Sequence, residues 1–441
     1  MTLLVLILTL LCAYFVIKAS KIKEVNSILG FSLIFLFILW YVIPILSTIN
    51  FWIFFEEFLG NKLSFKEYLK YATIDLLYFL FIILFFIKYS KKKTSLTIYN
   101  NKFQYNKSFF SAFYYASIVI ILTQIFFDNS LNLSYNNFND LEISKGEFYN
   151  VLSFFNSYAV SFQILVILLY KDRISNVKYK FAIIIYLFYI FHLVTIGSRI
   201  SILGPLIIFL YFYFYKMSHK LKILLTIPVI SFGILAAILM PILANMRTES
   251  NVSIENLSTV KIDKFGLEPI IAQFAIKTNS VYYGSFLLKY DGIGAAGINP
   301  YLNSLYSIIP RFIYPNKPVP TSKDGTSFGI PSRVAANLII SNSTVFNVGV
   351  PASLVALWHG GIFAFLFNIF FMVAFLLWIN KLIKSDLFYW QLVAISFINI
   401  PIMNFYITFD QFIRDIPRHI LIYLIICFIY EFYKSLPKLK T

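Results

Sequence analysis

Charge is scarce in this chain, and so is every residue pattern that grips a nucleotide or a metal. Of 441 residues, 13% are Asp, Glu, Lys or Arg and 59% are hydrophobic. A soluble domain usually carries about 25% charged residues and needs them to cover its surface. That shortage excludes a water-soluble globule and points to lipid as the solvent of most side chains. There are two cysteines, Cys12 and Cys427, both inside apolar runs, so no disulfide framework is expected. Four histidines (His192, His219, His359 and His419) lie too far apart for zinc-ligand spacing. No Gly-x-x-x-x-Gly-Lys-Ser/Thr stretch is present to cradle ATP phosphates. Neither is there an Asp-x-Asp or a carboxylate cluster ready for the divalent cation that nucleotide-sugar enzymes often use. The expectation is a chain that needs no cofactor.

What the chain has in plenty is aromatic and aliphatic length: 50 Phe, 31 Tyr and repeated apolar runs. A membrane-crossing helix needs about 20 mostly apolar residues. Such runs lie near 2–17, 28–48, 71–88, 109–127, 149–170, 181–197, 200–216, 223–244, 358–380, 387–409 and 417–433. The stretch 181–215 would extend roughly 50 Å as one helix, so it divides at Gly197-Ser198-Arg199-Ile200. The fold class expected is an all-α polytopic membrane protein of about 11 transmembrane helices. Residues 1–244 would form an N-terminal bundle of about eight of them, and 358–441 a C-terminal group of about three.

The net charge of +17 would suggest a nucleic-acid partner in a soluble protein, but here its placement explains it. Lys and Arg crowd alternate connections: Lys18, Lys21 and Lys23; Lys88 to Lys107; Lys171 to Lys180; Lys216 to Lys222; Lys381 and Lys384; and the tail from Lys434. The intervening connections are acidic or balanced, as with Asp128, Asp140, Glu142 and Glu147 against Lys145. By the positive-inside rule the N-terminus is outside and the C-terminus cytoplasmic, in a bacterial cytoplasmic membrane. Met1 to Ile17 has no basic n-region and no small-residue cleavage site, so it reads as a first helix. One connection is far longer than the rest. Residues 245–357 form a large outer loop, and its apolar pieces predict interfacial helices: Leu267, Ile270, Ile271, Phe274 and Ala275 at helical spacing, then Tyr301 to Tyr314.

A few polar residues stand out against this background. Arg199 sits in the outer turn that divides the 181–215 stretch. It reads either as an interfacial arginine snorkelling to headgroups or as a guanidinium fork for a lipid phosphate. Arg311 and Lys317 lie in a segment stiffened by Pro310, Pro315, Pro318 and Pro320, which restricts the backbone presenting them. Arg247 and Arg333 are further cations of the outer loop, otherwise readable as a solvated surface. His359, before Gly360-Gly361 at the outer end of a span, reads more readily as a helix-end residue than as a base. Asp75 is expected one turn into the third span, close enough to reach water. His192, inside the sixth span, is expected to hydrogen-bond a neighbouring helix and not to act in catalysis.

Three stretches together resemble the Wzy-type oligosaccharide repeat-unit polymerases of O-antigen and capsule synthesis. They are Gly197-Ser198-Arg199 between two spans, the segment Ile309 to Pro318 with Pro310-Arg311 and Pro315-Asn316-Lys317-Pro318, and Gly349 to Gly361 leading into the next span. The resemblance implies a metal- and nucleotide-independent glycosyltransferase. It would move a growing glycan from undecaprenyl diphosphate onto a second lipid-linked repeat unit. Arg199 and Arg311 would stabilise the diphosphate leaving group, a catalytic role, while Arg247, Lys317, Arg333 and His359 would bind substrate. The implied partners are the lipid-linked donor and acceptor, membrane lipid, a flippase and a chain-length regulator, with no nucleic acid. Related ligases carry a histidine where this chain reads Ser341-Asn342-Ser343-Thr344, so no base is assigned. The competing expectations are an O-antigen-type ligase with the same donor, and a flippase or transporter. Against the transporter stands the lack of internal repeats and of charge deep within a helix, Asp75 being read as near one end.

Overall fold

The computed structural model describes residues 1–50, 52, 63–91, 107–130, 146–171, 174–195, 208–215, 280–297, 299–308, 350–385, 388–403, 412–413, 417, 420–426 and 428–429. Among these every regular element is helical and no strand occurs. Among the described residues six helical stretches are long and apolar enough to cross a membrane: Thr2–Ser20, Ser27–Asn50, Phe65–Ser90, Phe110–Asp128, Asn176–Leu193 and Ala352–Ile383. The chain is a multi-pass, all-α membrane protein. By contacts it divides into two compact units, one of Met1–Leu96, Ile271–Lys381 and Asn404–Thr441, the other of Thr97–Ile270 and Leu382–Met403.

In the first unit, α1 (Thr2–Ser20) and α2 (Ser27–Phe37) form a hairpin through the turn at residues 21–26. The helices approach closely where Gly30 meets Ser20; a Cβ there would stand 2.9 Å from the Ser20 Cα. Asn26 caps α2, its Oδ1 accepting from the Ile28 N–H at 2.9 Å. A π-helical turn, Ile38–Val42, then leads into α3 (Ile43–Asn50). Pro44 explains the widened turn: it has no N–H to donate, and its ring crowds the carbonyl of Trp40. The next helix, α4 (Phe65–Ser90), opens with a reciprocal cap. The Glu67 N–H donates to the Ser64 Oγ (3.3 Å), and the Ser64 N–H donates to the Glu67 carboxylate (2.9 Å).

The second unit is built on α5 (Lys107–Ser130), α6 (Gly146–Leu169), α7 (Asn176–Thr195) and α11 (Phe388–Met403), with residues 208–215 also helical. Its core is aromatic: Phe388 meets Phe110, Phe113 and Phe162 with ring centroids 5.8, 6.0 and 5.4 Å apart. Ile164, Ile167, Ile183, Tyr186, Ile208, Phe209 and Phe212 line a small apolar cavity.

In each unit the described lysine-rich turns named below meet at one end. In the first unit Asn380 clasps the α1–α2 turn. Its amide donates to the Glu24 carbonyl (2.9 Å) and its oxygen accepts from the Asn26 N–H (2.8 Å), so Lys21 and Lys23 lie beside the end that carries Lys381. In the second, the Tyr114 hydroxyl donates to the Lys178 carbonyl (2.7 Å) and Lys178 Nζ to Ser111 (2.6 Å), joining the starts of α5 and α7. The Tyr170 hydroxyl donates to Gln391 (2.8 Å), whose amide reaches the Ser385 carbonyl (2.7 Å), at the same basic end of α6 and α11.

Candidate functional site

At the opposite end of the first unit, part of the long connection is folded into the bundle. α8 (Ser280–Tyr290) and α9 (Asn299–Ile308) precede α10 (Ala352–Ile383). α8 is buried from Ser280 to Leu288, apolar around nearly its whole circumference, which is why it packs on every side. Gly284 lets it lie against the start of α10: a Cβ would come within 2.6 Å of the Leu354 side chain. At its far end Lys289 pairs with Glu67 of α4 at 2.9 Å.

α10 is broken. Gly360 (φ −145°) and Gly361 (φ +62°) leave helical geometry immediately after His359. The contacts on either side show that the chain also changes direction there. The Ser353 hydroxyl donates to Asp75 (2.5 Å) and the Asn368 amide to the Tyr78 hydroxyl (2.8 Å). Asp75 and Tyr78 are about 4.5 Å apart along α4, whereas residues 353 and 368 would be about 22 Å apart on one straight helix. Residues 352–359 therefore run back toward the Lys289–Glu67 end before the main part of α10 sets off across the bundle.

A break of this kind exposes the last carbonyls of the first segment, which need donors. A glycine-rich turn supplies them: the Gly294 N–H donates to the Leu357 carbonyl (2.9 Å) and the Ala296 N–H to that of Trp358 (3.2 Å). Gly292, Gly294 and Gly297 all hold positive φ, a conformation that side chains disfavour. The Trp358 indole N–H donates to the Asp291 carboxylate at 2.5 Å, fixing this turn on the break. Ser353, Leu354, Trp358 and His359 are all buried.

Of the residues singled out in the sequence, His359 is described. It is fully buried as the last residue of the short segment, its ring edge-on to Tyr301 with centroids 5.3 Å apart. Arg199, Arg247, Arg311, Lys317 and Arg333 lie outside the described residues, as does the 267–275 periodicity. Asp75 departs from expectation. α4 begins at Phe65, so Asp75 is about 15 Å along it, and it is 2% exposed instead of water-accessible. The Cys12 thiol of α1 reaches the neighbouring Leu76 carbonyl (3.6 Å), closing this face. His192 does bond a neighbouring helix: its Nε2 lies 2.9 Å from the Asp128 carboxylate of α5, which also accepts from the Gln124 amide at 2.9 Å.

Two arrangements went unnoticed in the sequence, Asp75 with Ser353 and Asp291 with Trp358, while for His192 a helix contact was expected but not its partner Asp128. The available signal was polarity inside apolar runs, as in Ile-Asp-Leu-Leu at 74–77 or Phe-Phe-Asp at 126–128. Partner identity was not legible, because these pairs are 278, 67 and 64 residues apart in the chain. Among the described residues no three His, Cys, Asp or Glu side chains gather as metal ligands. Set against family models, curated proteins and solved structures, the chain matches none of them.

Proposed function

We propose that this protein polymerises undecaprenyl-diphosphate-linked oligosaccharide repeat units on the outer face of a bacterial cytoplasmic membrane. In this reading about 11 helices cross the bilayer. The lysine-rich turns face the cytoplasm, whereas the N-terminus and the large loop are outside. Arg199 and Arg311 bear on the diphosphate leaving group, and Arg247, Lys317, Arg333 and His359 on substrate binding. The donor arrives already activated, so the chemistry needs neither nucleotide nor metal at the site.

One observation carries most of the support. The long connection is not a loose strap: α8, the glycine-rich turn and residues 352–359 are bonded into the bundle at the end opposite the lysine-rich turns. A folded connection anchored there is suited to lipid-linked substrates presented at the membrane surface. α9 fits the same setting. Its Leu302, Leu305 and Tyr306 are exposed while Ser304 is buried, the reverse of a soluble amphipathic helix, as expected where the outward face meets lipid.

Two features favour a second reading, a flippase or transporter: the discontinuous α10 and the buried Asp75 are devices that transporters place at their substrate sites. An O-antigen-type ligase shares the donor and differs in acceptor. Arg199→Ala and Arg311→Ala, made singly in the native host, separate these, with surface polysaccharide resolved by length and membrane levels of each variant checked. Loss of long chains with single units retained supports polymerisation. Loss of even the single units favours export or ligation, and normal chain lengths in both variants remove the arginines from the reaction.

A further inference from the structure

Glycosyl transfer to a hydroxyl needs a group to take the hydroxyl's proton, and no residue has yet been assigned to that task. We propose that Asp291 is this base, an inference that rests on the polymerase reading above. Few of the acids and histidines with described side chains are candidates. Asp75, His359, Asp128 and His192 are buried. Glu67 already accepts from the Ser64 N–H, the Ser64 hydroxyl and the Lys289 ammonium, so its charge is compensated. Asp291 differs from all of them. It is exposed at the end of α8, and one of its oxygens is fixed by the buried Trp358 indole N–H at 2.5 Å.

That combination suits a general base: an oriented carboxylate on an exposed residue, with one oxygen that no described residue engages. The turn beside the carboxylate is open: among the described residues, a Cβ added to Gly292 or to Gly297 would meet nothing within 4 Å. Tyr290 and Ile293, flanking Asp291, are 49% and 65% exposed and offer apolar surface to the C–H face of a pyranose. The backbone under the carboxylate is held as well, because the Asp291 N–H donates to the Leu287 carbonyl at 3.0 Å. In the step itself, the acceptor oxygen forms a bond to the anomeric carbon of the donor. The bond from that carbon to the phosphate oxygen breaks, and the diphosphate leaves with the electron pair. The hydroxyl proton passes to the free oxygen of Asp291.

The test uses the full-length protein in proteoliposomes, supplied with undecaprenyl-diphosphate-linked repeat units extracted from the native host, and follows chain length with time. Asp291→Asn keeps the shape and an acceptor for Trp358 while removing the base, and is expected to slow extension about 100-fold or more. Asp291→Ala is expected to regain extension in sodium formate, which supplies a small carboxylate; a merely structural role would not respond. Extension by Asp291→Asn within about tenfold of the unsubstituted protein overturns the assignment, as does failure of formate to restore Asp291→Ala. If the unsubstituted protein itself makes no polymer, the polymerase reading fails and the base falls with it. Polymer from the unsubstituted protein with no response at Asp291 removes only the base.

Discussion

Asp75 accepts the Ser353 hydroxyl where an unmet acceptor has no water to turn to, since the two residues are 2% and 0% exposed. Ser353→Ala would leave the carboxyl group without its donor, and a buried acceptor abandoned in this way costs about 1–3 kcal/mol. Asp75→Asn keeps an oxygen in place for the same hydroxyl and is expected to cost less than Ser353→Ala. Chemical unfolding of the detergent-solubilised variants gives the ordering. Equal losses in both would mean that the hydrogen bond is incidental to the packing of residues 352–359. Asn368 offers a comparison one step deeper. Its amide donates to Tyr78 while its own oxygen is buried without a partner. Asn368→Leu therefore removes one unmet acceptor but leaves the buried Tyr78 hydroxyl without its donor, so the number of unmet groups does not rise, and it is expected to be milder than Ser353→Ala in the same experiment.

At the scale of elements, the break in α10 depends on one backbone conformation. Gly361 holds φ +62° with ψ −144°, a region essentially reserved for glycine, and a residue with a side chain there pays a steric penalty of about 1–3 kcal/mol. Gly361→Ala should therefore destabilise the protein by that amount. The Ile293 side chain, 3.5 Å from the added Cβ, is at ordinary contact distance and adds little. Gly284→Ala is expected to be costly for the other reason, contact with Leu354 at 2.6 Å, and Leu354→Ala in the same chain should recover part of that loss. These elements also show what the sequence could and could not reveal. The apolar runs at 2–17, 28–48 and 109–127 became helices nearly as expected, because bilayer thickness alone demands such runs. The start of α4 was placed six residues late. Hydropathy discounts Lys66, Glu67 and Lys70, although the Ser64-x-x-Glu67 cap marks the true beginning. That displacement is what brought Asp75 too close to the surface. α8 escaped notice because a helix buried on all sides has no periodic face to read. His359-Gly360-Gly361 was visible as a helix end, but a glycine pair does not say which way the chain departs.

For the whole molecule, the legible quantity was sidedness. Alternating lysine-rich connections implied that every second turn shares one side. Within each unit the structure brings some of the described ones together, through Asn380 on the turn of Lys21 and Lys23 and through Tyr114 on Lys178. The candidate site was far less legible, since the polar partners that build it come from distant parts of the chain and only tertiary packing pairs them. Which compartment the lysine-rich ends face decides whether the loop meets lipid-linked sugars or cytoplasmic nucleotides. The positive-inside rule would place them in the cytoplasm, because short basic connections resist translocation. In a Cys12→Ala, Cys427→Ala background, Ile293→Cys sits on the exposed glycine-rich turn, and Lys23→Cys lies at the opposite end of the same unit. A membrane-impermeant maleimide applied to intact spheroplasts is expected to label Ile293→Cys and to spare Lys23→Cys until the membrane is opened. The reverse pattern would put the loop, Asp291 included, on the cytoplasmic side. A lipid-linked donor at the outer face would then have no loop to meet, and the glycan reading would give way to one built on cytoplasmic substrates.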